Sequence, residues 1–228
     1  MVLRMNTNTN LIKKNIVKNE GLVDLFVADE VGEEGNLQLP SPTLVSYYIE
    51  KKNRTIWLTK DIDETLFDEA KNIIQWNRED EQNNIPVDKR VPIKIFIHSF
   101  GGDMYSCFSF IDCMNLSKTP IICINMACAM SAGAMIFISG HTRYCMPNST
   151  ALLHNGSSAS SGDYQQVQEQ NKNYKKMVSR MQDIILNRTK ITKQQLNRRL
   201  KTDWYLEAKE QVEYGLCSDI VTDITQIL

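Results

Sequence analysis

The 228-residue sequence has only three histidines, no Cys-x-x-Cys pair and almost no net charge. Its 26 basic and 27 acidic residues leave a formal charge of −1, so no strong field attracts it to nucleic acid or to an anionic membrane. The six cysteines lie mostly in apolar runs, at Cys107, Cys113, Cys123, Cys128, Cys145 and Cys217. We therefore expect buried thiols in a reducing compartment, and neither a disulfide framework nor a zinc site.

The sequence also lacks an apolar targeting segment in its first 20 residues and a nucleotide-binding motif. The first 20 residues contain no apolar stretch long enough for a signal peptide or a membrane span. The expected location is cytoplasmic, with an organelle lumen as the alternative because this segment carries several basic residues. The chain also lacks the P-loop pattern GxxxxGK followed by serine or threonine, so any dependence on ATP would come from a partner.

Residues 1–42 differ in composition from the rest of the chain. They are rich in asparagine, then acidic, and they end in the turn-prone run LPSP. This composition predicts a partly flexible N-terminal arm, followed by a folded domain over residues 43–228. Residues 44–49 and 55–58 are rich in β-branched and aromatic side chains, which favours strands at both places.

Strand and helix patterns alternate through the remainder of the chain. Periodicity predicts strands over 93–97, 121–126, 144–146, 150–153 and 220–224, helices over 62–76, 164–188 and 206–214, one more helix ending near 116, and a polar loop over 78–90. Such repeated strand–helix units predict an α/β fold with a mainly parallel sheet and helices on its faces.

The helix predicted over 164–188 is unusually polar for its length. Its apolar residues form one stripe at spacings of three, four and seven, namely Val167, Tyr174, Met177, Val178, Met181 and Ile185. The stripe is compatible with ordinary core packing, but in so polar a helix it favours contact with a second subunit.

Three short motifs could carry chemistry. Ser131 stands among small residues between a buried strand and a helix, where a serine is typical of a helix cap but can also act as a nucleophile. Gly101 and Gly102 form another strand-to-helix turn, suited either to positive φ or to anion binding through backbone amides. His154 ends an apolar strand before the run NGSSASSG, whereas structural or surface roles are expected for His98 and His141.

The runs IKIFIHSFGG, ICINMACAMSAGA, RYCMPNSTALLH and TDWYLEAKEQVEYGL occur in this order and, taken together, resemble the proteolytic subunit of Clp protease, the ClpP family. The resemblance extends over residues 55–219. It implies a ClpP/crotonase-like α/β fold in which a long "handle" helix, at about 155–190, protrudes from the domain.

The resemblance also implies an active site. It identifies Ser131 as nucleophile, His154 as general base and Asp203 as the acid, although Asp163 is closer to His154 in sequence. The amides of Gly102 and Ala132 correspond to the oxyanion hole. The implied activity is that of a serine endopeptidase that cleaves peptides and unfolded proteins, with no metal or other cofactor in this subunit.

Members of this family assemble into stacked rings that work with AAA+ unfoldases, so homo-oligomeric rings or rings mixed with a paralogue are the expected assembly. The resemblance assigns unfoldase binding to six apolar residues, Phe96, Leu116, Ile124, Met126, Tyr144 and Met146. On strands, such residues are also typical of core. The N-terminal arm does not resemble the family's axial loop, which keeps a phage-type maturation protease without an ATPase partner as an alternative.

The sequence departs from the family pattern at several places. Phe100 replaces a proline before the two glycines, Ala132 replaces the methionine that commonly follows the nucleophile, and Asn155-Gly156 replaces Gln-Pro after the base. Two further hypotheses follow: a weak or silent subunit that supports a mixed ring, and an acyl-CoA enzyme of the related crotonase fold. The ordered serine, histidine and aspartate favour the peptidase over both.

Overall fold

The computed structural model describes residues 41–228, so nearly all of the predicted arm lies outside the described residues. The chain divides into two compact units between Asn53 and Arg54. The described part of the first unit is one helix, α1 (Pro42–Lys52), so the strand predicted over 44–49 is wrong. Pro42 is at the first turn and the Ser41 hydroxyl accepts a hydrogen bond from the Leu44 amide, and together they start a helix in a segment of high strand propensity.

The second unit is an α/β domain with a mainly parallel sheet, as predicted, and the sheet has seven strands. Its strands are β1 (Thr55–Leu58), β2 (Ile93–Ser99), β3 (Ile121–Met130), β4 (Thr142–Cys145), β5 (Thr150–Leu153), β6 (Trp204–Glu207) and β7 (Asp219–Ile220). Its helices are α2 (Leu66–Gln82), α3 (Met104–Leu116), α4 (Ala132–Ser139), α5 (Tyr164–Arg188), α6 (Lys193–Arg199) and α7 (Ala208–Glu213), with 3-10 turns at Val87–Lys89 and Ile224–Ile227. Strand pairs are parallel except for the antiparallel pair β5–β6.

Strand β3 forks, and the fork determines where the candidate site lies. Its first part pairs with β4 over Ile122–Asn125, and its last part pairs with β5 over Cys128–Met130. At the branch, the buried Asn125 amide donates to the Thr150 carbonyl at 3.1 Å and to Gln211 Oε1 at 3.0 Å. Since β5 runs parallel to the end of β3, the residues that follow these two strands emerge side by side at one edge of the sheet.

The buried residues form one large cluster and a second, small one around Phe96 and Ile124. Several element boundaries differ from the prediction. Helix α2 continues to Gln82, into the predicted loop, because Trp76 and Asp80 extend its buried face. Residues 204–207 form β6 instead of the start of a helix, with Trp204 and Leu206 buried on one face. The last strand, β7, has two residues and is followed by a 3-10 turn.

Helix α5 has the predicted bounds. Asp163 and Gln166 form a capping box at its start, in which the Asp163 carboxylate accepts from the Gln166 amide at 2.9 Å. In the apolar stripe, Met181 and Ile185 are buried in the domain's own core, so this end of the stripe is not a subunit contact. Within residues 41–228, none of the helices is both long and apolar enough to cross a membrane.

Candidate active site

Ser131 occupies the sharp turn between β3 and α4 with φ 53° and ψ −121°. Positive φ is rare outside glycine and costs about 1–3 kcal/mol, so the surrounding structure must hold the turn in place. The Ser131 amide donates to the Leu152 carbonyl of β5 at 3.0 Å, and its carbonyl accepts from the Met135 amide of α4 at 3.2 Å. These bonds fix the backbone and turn the side chain toward β5.

The turn that contains Gly101 and Gly102 packs directly against Ser131. Both glycines have positive φ, 107° and 143°. A Cβ on Gly101 would lie 2.7 Å from the Ser131 Cβ, and one on Gly102 would lie 2.2 Å from the Ile62 carbonyl oxygen. The Ile62 amide donates to the Gly101 carbonyl at 2.8 Å and holds the turn in place. Only glycine fits at either position without displacing backbone.

The amides of Gly102 and Ala132 are the predicted donors to an oxyanion beside Ser131. The Gly101 amide is already used, because it donates to Ser99 Oγ at 3.2 Å. Ala132 is the first residue of α4, where helix amides have no acceptor within the helix, and its nitrogen lies 3.1 Å from the Cβ position of Gly101. Ala132 therefore borders the turn that contains Gly101 and Gly102. The assignment of Gly102 and Ala132 as oxyanion donors stays a prediction.

His154 follows β5 directly and contacts Ser131. Met130 is paired with Leu152 at the end of the β3–β5 ladder, which brings the residues after the two strands together. The His154 Nε2 lies 2.7 Å from Ser131 Oγ, a hydrogen-bond distance. The imidazole is largely buried, with 24% of its side chain exposed. This is the geometry required of a serine and its general base.

Asp203 precedes β6, the antiparallel partner of β5, and faces the other ring nitrogen. Its Oδ1 lies 3.7 Å from His154 Nδ1 and its side chain is 58% exposed. That separation permits an ion pair but is too long for a hydrogen bond. Asp163, the competing carboxylate, caps α5. Ser131, His154 and Asp203 therefore meet at one place.

The other two histidines have structural contacts. His141 Nδ1 accepts a hydrogen bond from the Ile121 amide at 3.0 Å, and burial lowers the pKa of this imidazole. His98 Nδ1 lies 3.5 Å from the Cys128 sulfur, and its ring is edge-on to Phe100. Burial raises the pKa of the Cys128 thiol, which keeps it protonated. Neither histidine makes a hydrogen bond to Ser131.

Five of the six residues assigned to unfoldase binding lie together in a small apolar cluster on one face of the sheet. Phe96 and Ile124 are buried in it together with Val221 and Ile227, and Met126, Tyr144 and Met146 pack around them. Leu116 is elsewhere: it is 83% exposed and lines a groove of about 520 Å³ between α2 and α3.

Two residues were not predicted from the sequence, one beside the Phe96 cluster and one beside His154. Trp57 stacks on Phe96 with ring centroids 4.4 Å apart and is 46% exposed, so it widens the apolar surface around that cluster. Alternation in β1 could have identified it as the strand's outward aromatic residue. Asn155, the residue after His154, hydrogen-bonds to Leu200 and to Gln182, and no sequence pattern indicated those contacts.

Comparison with known proteins gives a consistent match. The model of the family described as Clp protease matches residues 46–224. An ATP-dependent Clp protease proteolytic subunit from Deinococcus radiodurans is 28% identical over 131 residues, which cover 57% of this chain and 64% of the relative. A proteolytic subunit 2 from Treponema denticola is 34% identical over 131 residues, or 57% of this chain and 66% of the relative. The matched segment thus spans just under two thirds of these relatives.

Among solved structures, a mutant of ClpP1 from Listeria monocytogenes shares the fold with a TM-score of 0.68. The match covers 81% of this chain and 99% of that chain, at 20% sequence identity. The predicted ClpP-like architecture is therefore confirmed at the level of the fold.

Proposed function

We propose that this chain, which belongs to the Clp protease family, is a serine endopeptidase whose nucleophile is Ser131. The observation that carries the proposal is the 2.7 Å contact between Ser131 Oγ and His154 Nε2, beside a turn of two positive-φ glycines that packs against Ser131. A capping serine would direct its hydroxyl to the helix amides, but the Ser131 side chain makes no such cap bond.

In the acylation step, His154 Nε2 takes the proton from Ser131 Oγ as the oxygen attacks a peptide carbonyl carbon. The carbonyl π electrons move to oxygen, and the amides of Gly102 and Ala132 donate to that oxyanion. Collapse of the tetrahedral adduct breaks the C–N bond, and the imidazolium of His154 returns the proton to the leaving amine. An acyl ester on Ser131 remains.

In the deacylation step, His154 takes a proton from water, whose oxygen attacks the acyl ester. The proton then returns to Ser131 Oγ as the ester bond breaks, so no net proton is consumed. Asp203 stabilises the imidazolium in both steps by its charge. At 3.7 Å and 58% exposure this ion pair is screened by solvent, and Asp203 would approach closer when substrate is bound.

Assembly into rings with a AAA+ unfoldase is part of the same proposal. The apolar stripe in the first part of α5, whose residues are only partly buried within the chain, supports a subunit contact. The cluster around Phe96, with the exposed ring of Trp57 stacked on it, supports a docking surface for an apolar segment of the partner. Leu116 does not join that cluster within one protomer.

Hydrolysis of a short fluorogenic peptide tests the proposed activity without an ATPase. Wild type is expected to cleave it, and Ser131→Ala is expected to lower kcat by about 10⁴-fold or more, because removal of a triad nucleophile leaves only residual catalysis. Ser46→Ala, which alters an exposed serine of α1, is the matched control and retains wild-type kcat. Equal rates for Ser131→Ala and wild type would show that another group performs the hydrolysis.

A further inference from the structure

Asn155 links the candidate base to two other elements. Its side-chain Nδ2 donates to the Leu200 carbonyl at 2.8 Å, and its Oδ1 accepts from Gln182 Nε2 of α5 at 3.3 Å. Its own carbonyl accepts from the hydroxyl of Tyr174, also on α5, at 2.8 Å. The residue directly after His154 is therefore attached at three points.

The contact with α5 is tight. Gly156 has φ 76°, and a Cβ at this position would lie 3.0 Å from the Tyr174 hydroxyl oxygen. Tyr174 is half-buried, and this burial raises the pKa of its phenol, which keeps it a hydrogen-bond donor at neutral pH. The backbone at 155 and 156 is thus held against α5 by Tyr174.

The contact with Leu200 reaches the segment that carries Asp203. Leu200 is buried and is the C-cap of α6, where its amide donates to the Leu196 carbonyl at 2.9 Å. Asp203 follows three residues later, immediately before β6. The Asn155 side chain therefore connects the chain just after His154 to the segment just before Asp203.

This connection matters because Asp203 does not hydrogen-bond the imidazole. With 3.7 Å between Asp203 Oδ1 and His154 Nδ1, the carboxylate does not fix the ring in this geometry. The polar contacts that restrain the chain immediately after His154 are those of Asn155. We propose that Asn155 is a positioning residue that holds His154 against Ser131 and couples that contact to α5; the inference rests on the proposed function.

Loss of the Asn155 side-chain hydrogen bonds is expected to reduce the rate of the chemical step and to leave binding of a short peptide unchanged. Asn155→Ala removes both side-chain bonds, so His154 samples positions away from Ser131 Oγ, and displacement of a catalytic group by about 1 Å can cost about 100-fold. The expected result is a fall in kcat of about 10-fold to 100-fold with KM within about twofold of wild type.

A double-mutant cycle distinguishes loss of the Asn155 contacts from a general loss of stability. Gln182→Ala removes only the bond to Oδ1 and is expected to lower kcat less than Asn155→Ala does. Because Asn155→Ala already eliminates that bond, the double variant should be no slower than Asn155→Ala alone. Full additivity of the two effects would contradict a shared contact.

Asn173→Ala is the matched control. It removes another side-chain bond from α5, the 2.6 Å bond to the Tyr105 hydroxyl, without touching the chain next to His154. Its kcat should equal that of wild type. Equal loss of kcat in Asn173→Ala and Asn155→Ala would assign the effect to α5 in general and would overturn the proposal.

Hydrogen exchange of the intact protein gives a readout that does not depend on activity. Peptides that contain residues 154–156 and 200–203 should exchange faster in Asn155→Ala than in wild type or Asn173→Ala. Unchanged exchange at both segments would overturn the proposed role of Asn155. If Ser131→Ala is inactive but Asn155→Ala retains wild-type kcat, only the positioning role is overturned. If the wild-type protein is inactive, the proposed function fails, and hydrogen exchange alone then tests whether Asn155 restrains the chain after His154.

Discussion

Ser131 combines a positive φ with a hydrogen bond to a histidine 23 residues later in the chain. The strand–helix junction and the small neighbours were visible in the sequence, and the order of glycines, serine, histidine and aspartate identified the site. The backbone strain was not visible, because φ 53° with ψ −121° is a conformation that residues other than glycine rarely adopt. The 3.7 Å gap at Asp203 was also beyond prediction, since it depends on how the segment after α6 packs.

The strain at Ser131 predicts an unusual order of stability between two inactive variants. Ser131→Gly and Ser131→Ala both lose the hydroxyl, but only glycine adopts positive φ without a clash of Cβ. Ser131→Gly should therefore be more stable than Ser131→Ala by about 1–2 kcal/mol, the reverse of the order inside a helix. Denaturant unfolding of both variants at one protein concentration measures the difference, and a more stable Ser131→Ala would mean that the turn is relaxed.

Among the helices and strands, those with a complete local signal were predicted best. Helix α5 has the predicted bounds because its capping box and apolar stripe agree. The strand predicted over 44–49 was wrong because a start signal, Ser41 with Pro42, prevailed over β-branched content. The extension of α2 was missed because Asp80 looks like a surface residue in the sequence, although its side chain is completely buried.

The stripe of α5 predicts two different outcomes along one helix. Met177 and Val178 are only partly covered within the chain, so replacing both with Asp should dissociate the proposed ring assembly while the protomer stays folded. Met181 is buried in the core, so Met181→Asp should unfold the domain, because an unpaired charge would be buried. Sedimentation velocity together with thermal unfolding distinguishes these results.

Ser179→Asp, at an exposed position on the same helix, is the control for added charge and should behave as wild type. An unchanged assembly in the Met177 and Val178 variant would remove the stripe as a subunit contact. A folded, assembled Met181→Asp protein would show that this position is not part of the core.

At the scale of the whole domain, a buried ion network connects α2 with the sheet. Arg54 donates to both oxygens of Asp80, at 2.7 and 2.6 Å, and the Thr119 hydroxyl donates to the same carboxylate at 2.7 Å. The hydrogen bonds from Arg54 are the main reason that the pKa of Asp80 lies below its usual range, with Thr119 and nearby Arg90 contributing in the same direction. No sequence pattern indicates this network, because its members come from four separate segments.

The network predicts how stability falls in acid. Because the pKa of Asp80 is lower in the folded chain than the ordinary value of about 3.9, its contribution is fully present above that value and is lost as pH falls below it. Asp80→Asn leaves the buried Arg54 without its partner charge and should cost about 3 kcal/mol or more at pH 7. The free energy of unfolding of this variant should also fall less steeply than that of wild type below about pH 4.

Asp68→Asn provides the matched comparison, since Asp68 and Lys71 form an exposed ion pair on the same helix. That substitution should leave the unfolding free energy at pH 7 close to that of wild type, because solvent screens exposed pairs. Equal effects of Asp80→Asn and Asp68→Asn, measured by urea unfolding across the pH range, would contradict a stabilising role for the buried network.

The central claim is that Ser131 is a nucleophile activated by His154, and covalent labelling tests it most directly. The assembled wild-type protein is incubated with a fluorophosphonate and the modified peptide is identified by mass spectrometry. The account predicts one adduct, on Ser131, absent in Ser131→Ala and formed far more slowly in His154→Ala, because the hydroxyl then lacks its base. An adduct on another residue, or labelling of Ser131 at an unchanged rate without His154, would contradict it.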